Sequence, residues 1–272
     1  MIVTLLTDFG LEDEYAGVMK GVILGVNPKT RIVDLCHEVP PGDIRRAGLL
    51  LAWSWRYFPR GTVHVAVVDP GVGSSRNILC CERQGHRFLA PDNGLLSWVL
   101  PEGSRFCAHV VSDRRYWLPQ VSHTFHGRDI FAPLAGHLSK GLEIRRVGPA
   151  IKSIRRLEGT ATGTRARSPR RAGTGRWLGR IVALDRFGNA VTDLEWRDLK
   201  KWGGSGMEIR VRGRRIRGVL GAYSAAGKGK VLAIVGSRGL LEISVNGGSA
   251  AHALGLRPGQ KVEVRRASAG YA

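Results

Sequence analysis

The sequence predicts a two-domain α/β protein, a mostly parallel α/β sandwich followed by a small antiparallel β-barrel. Three observations carry that reading. The first 100 residues alternate strand-like and helix-like runs. Apolar patterning then fails over residues 158–177. Beyond it come short strands separated by Gly, Asn and Lys turns. At 272 residues the chain also exceeds the usual size of one domain.

Ile2–Leu6 is a short apolar run ending in Thr7-Asp8-Phe9-Gly10. With no basic n-region and an acid met at once, it reads as a first buried strand and not as a signal peptide. Tyr15–Val26 has helical spacing, with Val18, Val22 and Val26 expected on one face with Tyr15. Arg31–Cys36 is a second β-rich run. Pro40-Pro41-Gly42-Asp43 follows as turn and N-cap, and Ile44–Tyr57 continues as an amphipathic helix stopped by Pro59. Thr62–Val68 is β-branched and nearly all apolar, as a strand buried on both faces should be. Such a βαβαβ rhythm argues for a parallel sheet with helices on both sides, and functional groups then gather on loops at the strands' C-terminal ends.

Residues 1–157 are therefore taken as the catalytic α/β domain and 158–177, rich in Gly, Thr, Ser and Arg, as a basic linker. Residues 178–272 form the barrel, whose expected strands are Leu178–Leu184, Met207–Val211, Lys230–Val235, Leu240–Val245 and Lys261–Arg265.

Composition excludes several classes. Apolar residues make up 43 %, enough for packed cores and too many for a disordered polycation. No stretch approaches the roughly 18–20 apolar residues of a membrane span. The four cysteines, Cys36, Cys80, Cys81 and Cys107, lack metal-ligand spacing and read as buried thiols of a reducing cytoplasm, with Cys80 and Cys81 facing opposite sides of a strand. The formal net charge is +20. Residues 1–144 hold 15 Lys/Arg against 14 Asp/Glu, residues 145–180 hold 11 against 1, and residues 181–272 hold 16 against 7. Only Trp177 interleaves the basic segment, so no stacking platform for nucleic acid is apparent, and a solvated basic surface is the expectation.

The chemistry-bearing motifs lie mainly in the first half. Strand Thr62–Val68 runs into Asp69-Pro70-Gly71-Val72-Gly73-Ser74-Ser75-Arg76, an acid at the end of a buried strand, then a Gly-rich turn and an Arg. A plain turn explains the same residues about equally well. Gly71-Val72-Gly73 lacks the third glycine of a dinucleotide loop. Asp8-Phe9-Gly10 has no kinase context, and Gly221…Gly227-Lys228-Gly229 breaks the P-loop spacing. Ser122-His123-Thr124-Phe125-His126-Gly127-Arg128-Asp129 precedes an apolar helix, Ile130–Leu138. No acid or Cys stands at a spacing that would make its histidines metal ligands, and His126 is a candidate acid–base group. Ala90-Pro91-Asp92-Asn93-Gly94 is rich in side-chain acceptors but also reads as a simple turn. Asp185…Phe187-Gly188-Asn189 and Ser237-Arg238-Gly239-Leu240-Leu241-Glu242 sit at strand edges of the second half.

Taken in order, these motifs resemble one family from about residue 2 to 265: the S-adenosyl-L-methionine (SAM) hydrolases, or SAM hydroxide adenosyltransferases, relatives of fluorinase and chlorinase. The series also includes Asp13, Met19-Lys20-Gly21 and His37…Asp43. The resemblance implies a homotrimer whose substrate lies between the N-domain of one subunit and the C-domain of its neighbour. It implies that Asp69, Arg76 and His126 activate water and that Asp8 holds the ribose hydroxyls. Asp185 and Asn189 match positions around the methionine end and the adenine, as do Ser237 and Arg238. Asp13, Phe125, Gly127 and Glu242 fall in the same motifs as further substrate-binding positions. The implied reaction is attack of water on ribose C5′ to give adenosine and L-methionine, with SAM as substrate and no metal or organic cofactor. The family's halogenating members lack the Asp69/His126 set, since a carboxylate there would repel a halide. Other readings left open are a SAM- or adenosine-binding sensor and a basic nucleic-acid-binding module. Departures from the family pattern are the basic stretch at 158–178, Asp193 where Asn is frequent, and Arg238 where a small residue is common.

Overall fold

A computed structural model describes residues 1–157, 170–172 and 175–267. The chain forms two compact units, Met1–Gly163 and Thr164–Ala272.

The first unit begins with the expected rhythm: β1 (Ile2–Thr7), α1 (Tyr15–Val26), β2 (Arg31–Cys36), α2 (Ile44–Ser54) and β3 (Val63–Val67). Three further strands follow, β4 (Ile78–Arg83), β5 (His86–Pro91) and β6 (Cys107–Val110), then α3 (Ala132–Ser139). The sheet order is β2-β1-β3-β5-β4-β6. Strands β2, β1, β3 and β5 run parallel, and β4 is antiparallel to both its neighbours. From β1 the chain crosses outward to β2 and then back past β1 to β3. The connections therefore diverge between β1 and β3, the place where an open α/β sheet leaves a crevice at its strand ends. Asp8 follows β1 and Asp69 follows β3, so this topology puts them side by side.

All five residues of β3 are buried, which is why its sequence shows no polar alternation. One side of the sheet packs Val3, Leu5 and Val65 against Met19 and Ile23 of α1 and Leu134 of α3. The other packs Leu6, Ala66 and Phe88 against Leu51 of α2 and Trp55. Each of the Val, Leu, Ile, Phe and Met side chains among these contributes about 1.5–3 kcal/mol on burial. Close approach of α1 and α3 requires Gly136, where an added Cβ would lie 2.6 Å from the Val26 Cβ. Asp43 caps α2 as expected, accepting the Arg46 N–H at 2.8 Å. The helix ends at Ser54, and Trp55–Tyr57 is a separate 3₁₀ turn.

Two expectations need correcting. The buried face of α1 is Ala16, Met19 and Ile23, while Tyr15 is exposed, because the helix packs its longer side chains under α3. The thiols are not uniformly buried. Cys80 and Cys81 do face the two opposite cores, but Cys36 is half-buried and Cys107 exposed at the start of the outermost strand.

The second unit comprises β7 (Arg170–Arg171), β8 (Arg176–Leu184), β9 (Ala190–Glu195), a short helix α4 (Trp196–Leu199), β10 (Met207–Val211), β11 (Arg214–Arg217), β12 (Val231–Val235), β13 (Leu240–Val245), helix α5 (Ala250–Leu254) and β14 (Lys261–Arg266). Its antiparallel sheet runs β11-β10-β14-β8-β9-β13-β12, with β7 beside β8. A bridge from Leu220 to Ile234 brings the chain after β11 against β12 and nearly closes the barrel around Ile181, Ile209, Leu241, Ile243, Val262 and Val264. Residues 158–169 and 173–174 of the expected linker lie outside the described residues. Strand β8 starts at Arg176, within the stretch expected as linker.

Part of the positive charge has a definite place. Pairing register puts Arg215 and Arg217, Arg210, Lys261 and Arg265, and Arg176 and Arg180 on the outward face of β11, β10, β14 and β8. Glu263 pairs with Arg176 and Arg265, and Glu208 with Arg210. Among the described residues no helix is long and apolar enough to cross a membrane.

Candidate active site

The strongest grouping in the first unit forms where β3 ends. Asp69 and Arg76 are joined by a bidentate ion pair: the Arg76 Nε donates to Asp69 Oδ1 at 3.0 Å and to Oδ2 at 2.8 Å, and Nη2 donates to Oδ2. Both side chains are nearly buried, at 5 % and 9 % exposure. The same Nη2 lies 2.9 Å from His126 Nδ1. A guanidinium has only donors, so Nδ1 must accept and the ring proton resides on Nε2. Burial first, then the positive Arg76, push the His126 pKa below the ordinary histidine value. His126 is therefore neutral near pH 7, with Nε2–H as its available donor.

The intervening turn is held by the Val72 N–H on the Asp69 carbonyl and the Ser74 N–H on that of Gly71. Gly73 has φ +78°, and a Cβ there would sit 2.5 Å from the His123 carbonyl oxygen, so only glycine lets this turn pass beneath the histidine loop. His126 opens a π-helical turn, Gly127–Phe131, that leads into α3; such turns are frequent at functional sites. Beneath it Asp129, fully buried, pairs with Arg128 and accepts the Ser122 N–H at 2.8 Å.

Asp8, Phe9, Asp69, Phe125, His126 and Gly127 line one cleft with about 440 Å³ of empty space, together with Val72 and Thr124. Phe9 and Phe125 of its wall meet edge-on with centres 5.8 Å apart, and Tyr15 packs edge-on against Phe125 at 5.0 Å. The Asp8 Oδ2 accepts the Gly42 N–H at 2.8 Å. Asp13 is not brought to this cleft: it is exposed on the loop ahead of α1. Among the described residues no group of His, Cys, Asp or Glu could hold a metal ion.

In the second unit Asp185 and Asn189 stand on one turn. The Asp185 Oδ1 accepts the Phe187 and Asn189 N–H groups at 2.9 and 2.8 Å, and Oδ2 accepts the Asn189 side-chain amide at 2.8 Å. Glu242 on β13 is buried, with Arg238 at 3.7 Å. Burial raises the Glu242 pKa and the negative Asp185 adds to it, against the pull of Arg238. The Tyr223 hydroxyl is raised too, by burial and then by Glu242 and Asp185. These groups thus share one electrostatic neighbourhood. Ser237 is exposed on the β12–β13 turn.

Sequence reasoning gave no role to Asn93 or Asp129. The Asn93 amide donates to the Val68 carbonyl at 2.9 Å, and the Asp92 N–H to the Asn77 carbonyl at 2.9 Å, so the Pro91–Gly94 turn braces both ends of the Asp69–Arg76 loop. Asp and Asn beside a glycine signalled a turn, but nothing in the spacing said what the turn supports.

Comparison with known proteins gives a consistent picture. The sequence profile of the SAM hydroxide adenosyltransferase N-terminal domain matches residues 3–148, and that of the C-terminal domain residues 179–263. The chain is 40 % identical to an (R)-S-adenosyl-L-methionine hydrolase of Thermus thermophilus, covering 96 % of this chain and 98 % of the relative. It is 34 % identical to another from Salinispora tropica, covering 96 % and 97 %. A fluorinase of Nocardia brasiliensis is 28 % identical over 97 % of this chain and 96 % of its own. Among solved structures, an uncharacterised conserved protein from Thermotoga maritima superposes with a TM-score of 0.88 at 35 % identity, covering 98 % of this chain and all of that one.

Proposed function

The chain belongs to the SAM hydroxide adenosyltransferase family, and from that premise we propose that it hydrolyses S-adenosyl-L-methionine to adenosine and L-methionine. The observation that carries the reading is the Asp69–Arg76–His126 constellation, whose Asp69 and His126 line the cleft where β1 and β3 end and whose Arg76 joins them. The relatives at 40 % and 34 % identity are named for the (R)-sulfonium epimer, and we take that epimer as the preferred substrate.

In this mechanism a water oxygen forms a bond to ribose C5′ while the C5′–S bond breaks. Its electron pair stays on the methionine sulfur, which leaves neutral, so no general acid is required. The water's proton must be removed. Arg76 binds both Asp69 oxygens, yet each keeps lone-pair capacity for a water. His126 has its Nδ1 engaged and its Nε2 protonated, which suits it to donate and orient. We therefore assign Asp69 as the base, Arg76 as the group that fixes it, and His126 as a positioning donor. Asp8 serves the ribose, and Phe125 and Gly127 the wall beside it. Asp185, Asn189, Arg238, Glu242 and, more peripherally, Ser237 serve the methionine and adenine ends. Asp13 is exposed on the loop ahead of α1, outside the cleft. A nearly buried carboxylate at the point of attack repels a halide, which favours water over the chemistry of the fluorinase relatives.

No cofactor is invoked, since the sulfonium carries its own leaving group. A homotrimer remains our expectation for the assembly, checked by light scattering against three times the 29.6 kDa chain. Four free cysteines fit a reducing, cytoplasmic setting.

The test is incubation with each sulfonium epimer in chloride-free buffer made with oxygen-18 water, with products resolved by chromatography and mass. Adenosine bearing the label at the 5′ oxygen, formed faster from the (R) epimer, is the expected result. Unlabelled adenosine, or binding without turnover, contradicts the proposal.

A further inference from the structure

We infer that His37 is a positioning residue that holds the Asp8–Phe9 turn in its ribose-binding form, acting through the hydroxyl of Thr7. The inference rests on the hydrolase reading above.

Asp8 and Phe9 both line the cleft, yet they sit outside any regular element, immediately after β1. What fixes the turn converges on one residue that does not line the cleft. His37 Nδ1 lies 2.8 Å from Thr7 Oγ1, and Thr7 Oγ1 accepts the Phe9 N–H at 3.3 Å. The His37 carbonyl accepts the Gly10 N–H at 2.8 Å. The turn is thus pinned on both sides of Asp8, by the ring before it and by the carbonyl after it. The far side of the ring is also provided for. Nε2 is 3.0 Å from Asp34 Oδ1, a short but bent contact more electrostatic than a well-aligned hydrogen bond, and Asp34 Oδ2 accepts Lys20 Nζ of α1 at 2.6 Å.

Donor directions through this chain are consistent. The carboxylate of Asp34 favours a proton on Nε2, which leaves Nδ1 as acceptor. The Thr7 hydroxyl then donates to Nδ1 and offers its lone pairs to the Phe9 N–H. The His37 side chain is 2 % exposed and Thr7 is fully buried, so water cannot replace either bond. Removing one partner frees the turn beside Asp8 while leaving the sheet, the Asp69–Arg76 pair and His126 untouched.

A positioning role and a merely structural one differ in what they do to ligand selectivity. If Asp8 meets the ribose hydroxyls, the wild-type protein binds adenosine more tightly than 2′-deoxyadenosine. Loosening the turn should erode that preference, whereas general destabilisation weakens both ligands alike. The experiment measures binding of both nucleosides by calorimetry, with SAM turnover alongside, for Thr7→Val, His37→Ala, their double variant and His37→Asn. Thr7→Val keeps the side-chain shape and guards against a His37→Ala protein that fails to fold. His37→Asn returns an acceptor near the Nδ1 position.

We expect adenosine to weaken about tenfold in Thr7→Val and His37→Ala, with 2′-deoxyadenosine nearly unchanged. The double variant should be no worse than either single one, KM should rise more than kcat falls, and His37→Asn should recover most of the preference. Equal weakening of the two nucleosides, additive losses, or no change overturns the role of His37. A wild-type protein that neither binds adenosine nor turns over SAM sinks the hydrolase reading, and this inference with it. A wild-type preference that every variant keeps sinks only His37.

Discussion

The two units present their polar groups in opposite ways. In the first, the acid is locked before any ligand arrives: Asp69 is held on both oxygens by Arg76, and Arg76 is itself shared with His126. In the second, Asp185 is held on both oxygens within its own turn, by the Phe187 and Asn189 N–H groups and the Asn189 amide, and Arg238 lies 3.7 Å from Glu242. A rigid, nearly buried constellation suits a reacting atom, whose placement must be fixed to a fraction of an ångström. A set of carboxylates, an amide and a guanidinium carried on turns suits gripping the ends of a substrate. On the proposed assignment, the reacting group and the ribose-binding Asp8 turn stand at the parallel sheet's switch point, and the groups for the methionine and adenine ends stand on turns of the second unit.

The largest effect on that contrast should come from Arg76→Lys. A lysine cannot reproduce the bidentate fork, so Asp69 is left buried with half its partners and His126 Nδ1 with none. Turnover should fall by a hundredfold or more, and stability by about 3 kcal/mol in urea unfolding. A loss under threefold in rate would show that the pair is scaffolding.

The next effect separates the units by pH. In the first, His64 is fully buried between Thr4 and His86, and burial lowers its pKa to about 3. The folded state then binds fewer protons than the unfolded one between about pH 3 and 6.5. Stability present above pH 6.5 is lost as pH falls, by about 2 kcal/mol at pH 5. In the second, burial raises the Asp193 carboxyl to about 6, and it accepts the Arg180 N–H at 2.7 Å. Here the sign reverses: the folded state binds the extra proton, and stability is lost as pH rises from 3.8 through about 6. Asp193→Asn keeps the acceptor without the charge. It should raise the unfolding free energy by at most about 3 kcal/mol at pH 8 and by well under about 1 kcal/mol at pH 4, read from urea unfolding. A variant equally stabilised at both pH values would argue against a titrating origin.

The smallest effect concerns the brace behind the acid. Asn93→Ala removes one hydrogen bond to the Val68 carbonyl, worth about 1 kcal/mol, and should slow turnover several-fold without changing KM. A change in KM alone would place Asn93 with recognition instead.

The βαβαβ core, the Asp43 cap and the acid at the end of β3 were legible because each is local: a buried run, a capping side chain, a turn signal. What failed was also local. The β4–β5 and β10–β11 hairpins turn through Gln84-Gly85 and Arg212-Gly213, with φ of 52° and 78°, and 45° and 76°. These left-handed positions normally carry Asn or Asp, so the residues gave no hairpin signal and β4, β5 and β11 went unread. The phase of α1 was misjudged because its buried face uses Ala16 and Met19 in place of the more conspicuous valines. Arg76 and His126 are 50 residues apart, and no spacing rule joins them; the ordered family resemblance did that, and the fold then put them within 2.9 Å. His37 was part of that series but acquired a role only when its partners Thr7 and Asp34 could be seen.

The central claim, that Asp69 removes the proton from the attacking water, is tested most directly by Asp69→Asn. Single-turnover rates and adenosine affinity would be measured on the same preparation. The account predicts a rate lower by about 10²–10⁴-fold with adenosine affinity within twofold of wild type. A variant that hydrolyses SAM at the wild-type rate, or one whose rate loss is matched by lost affinity, would contradict it.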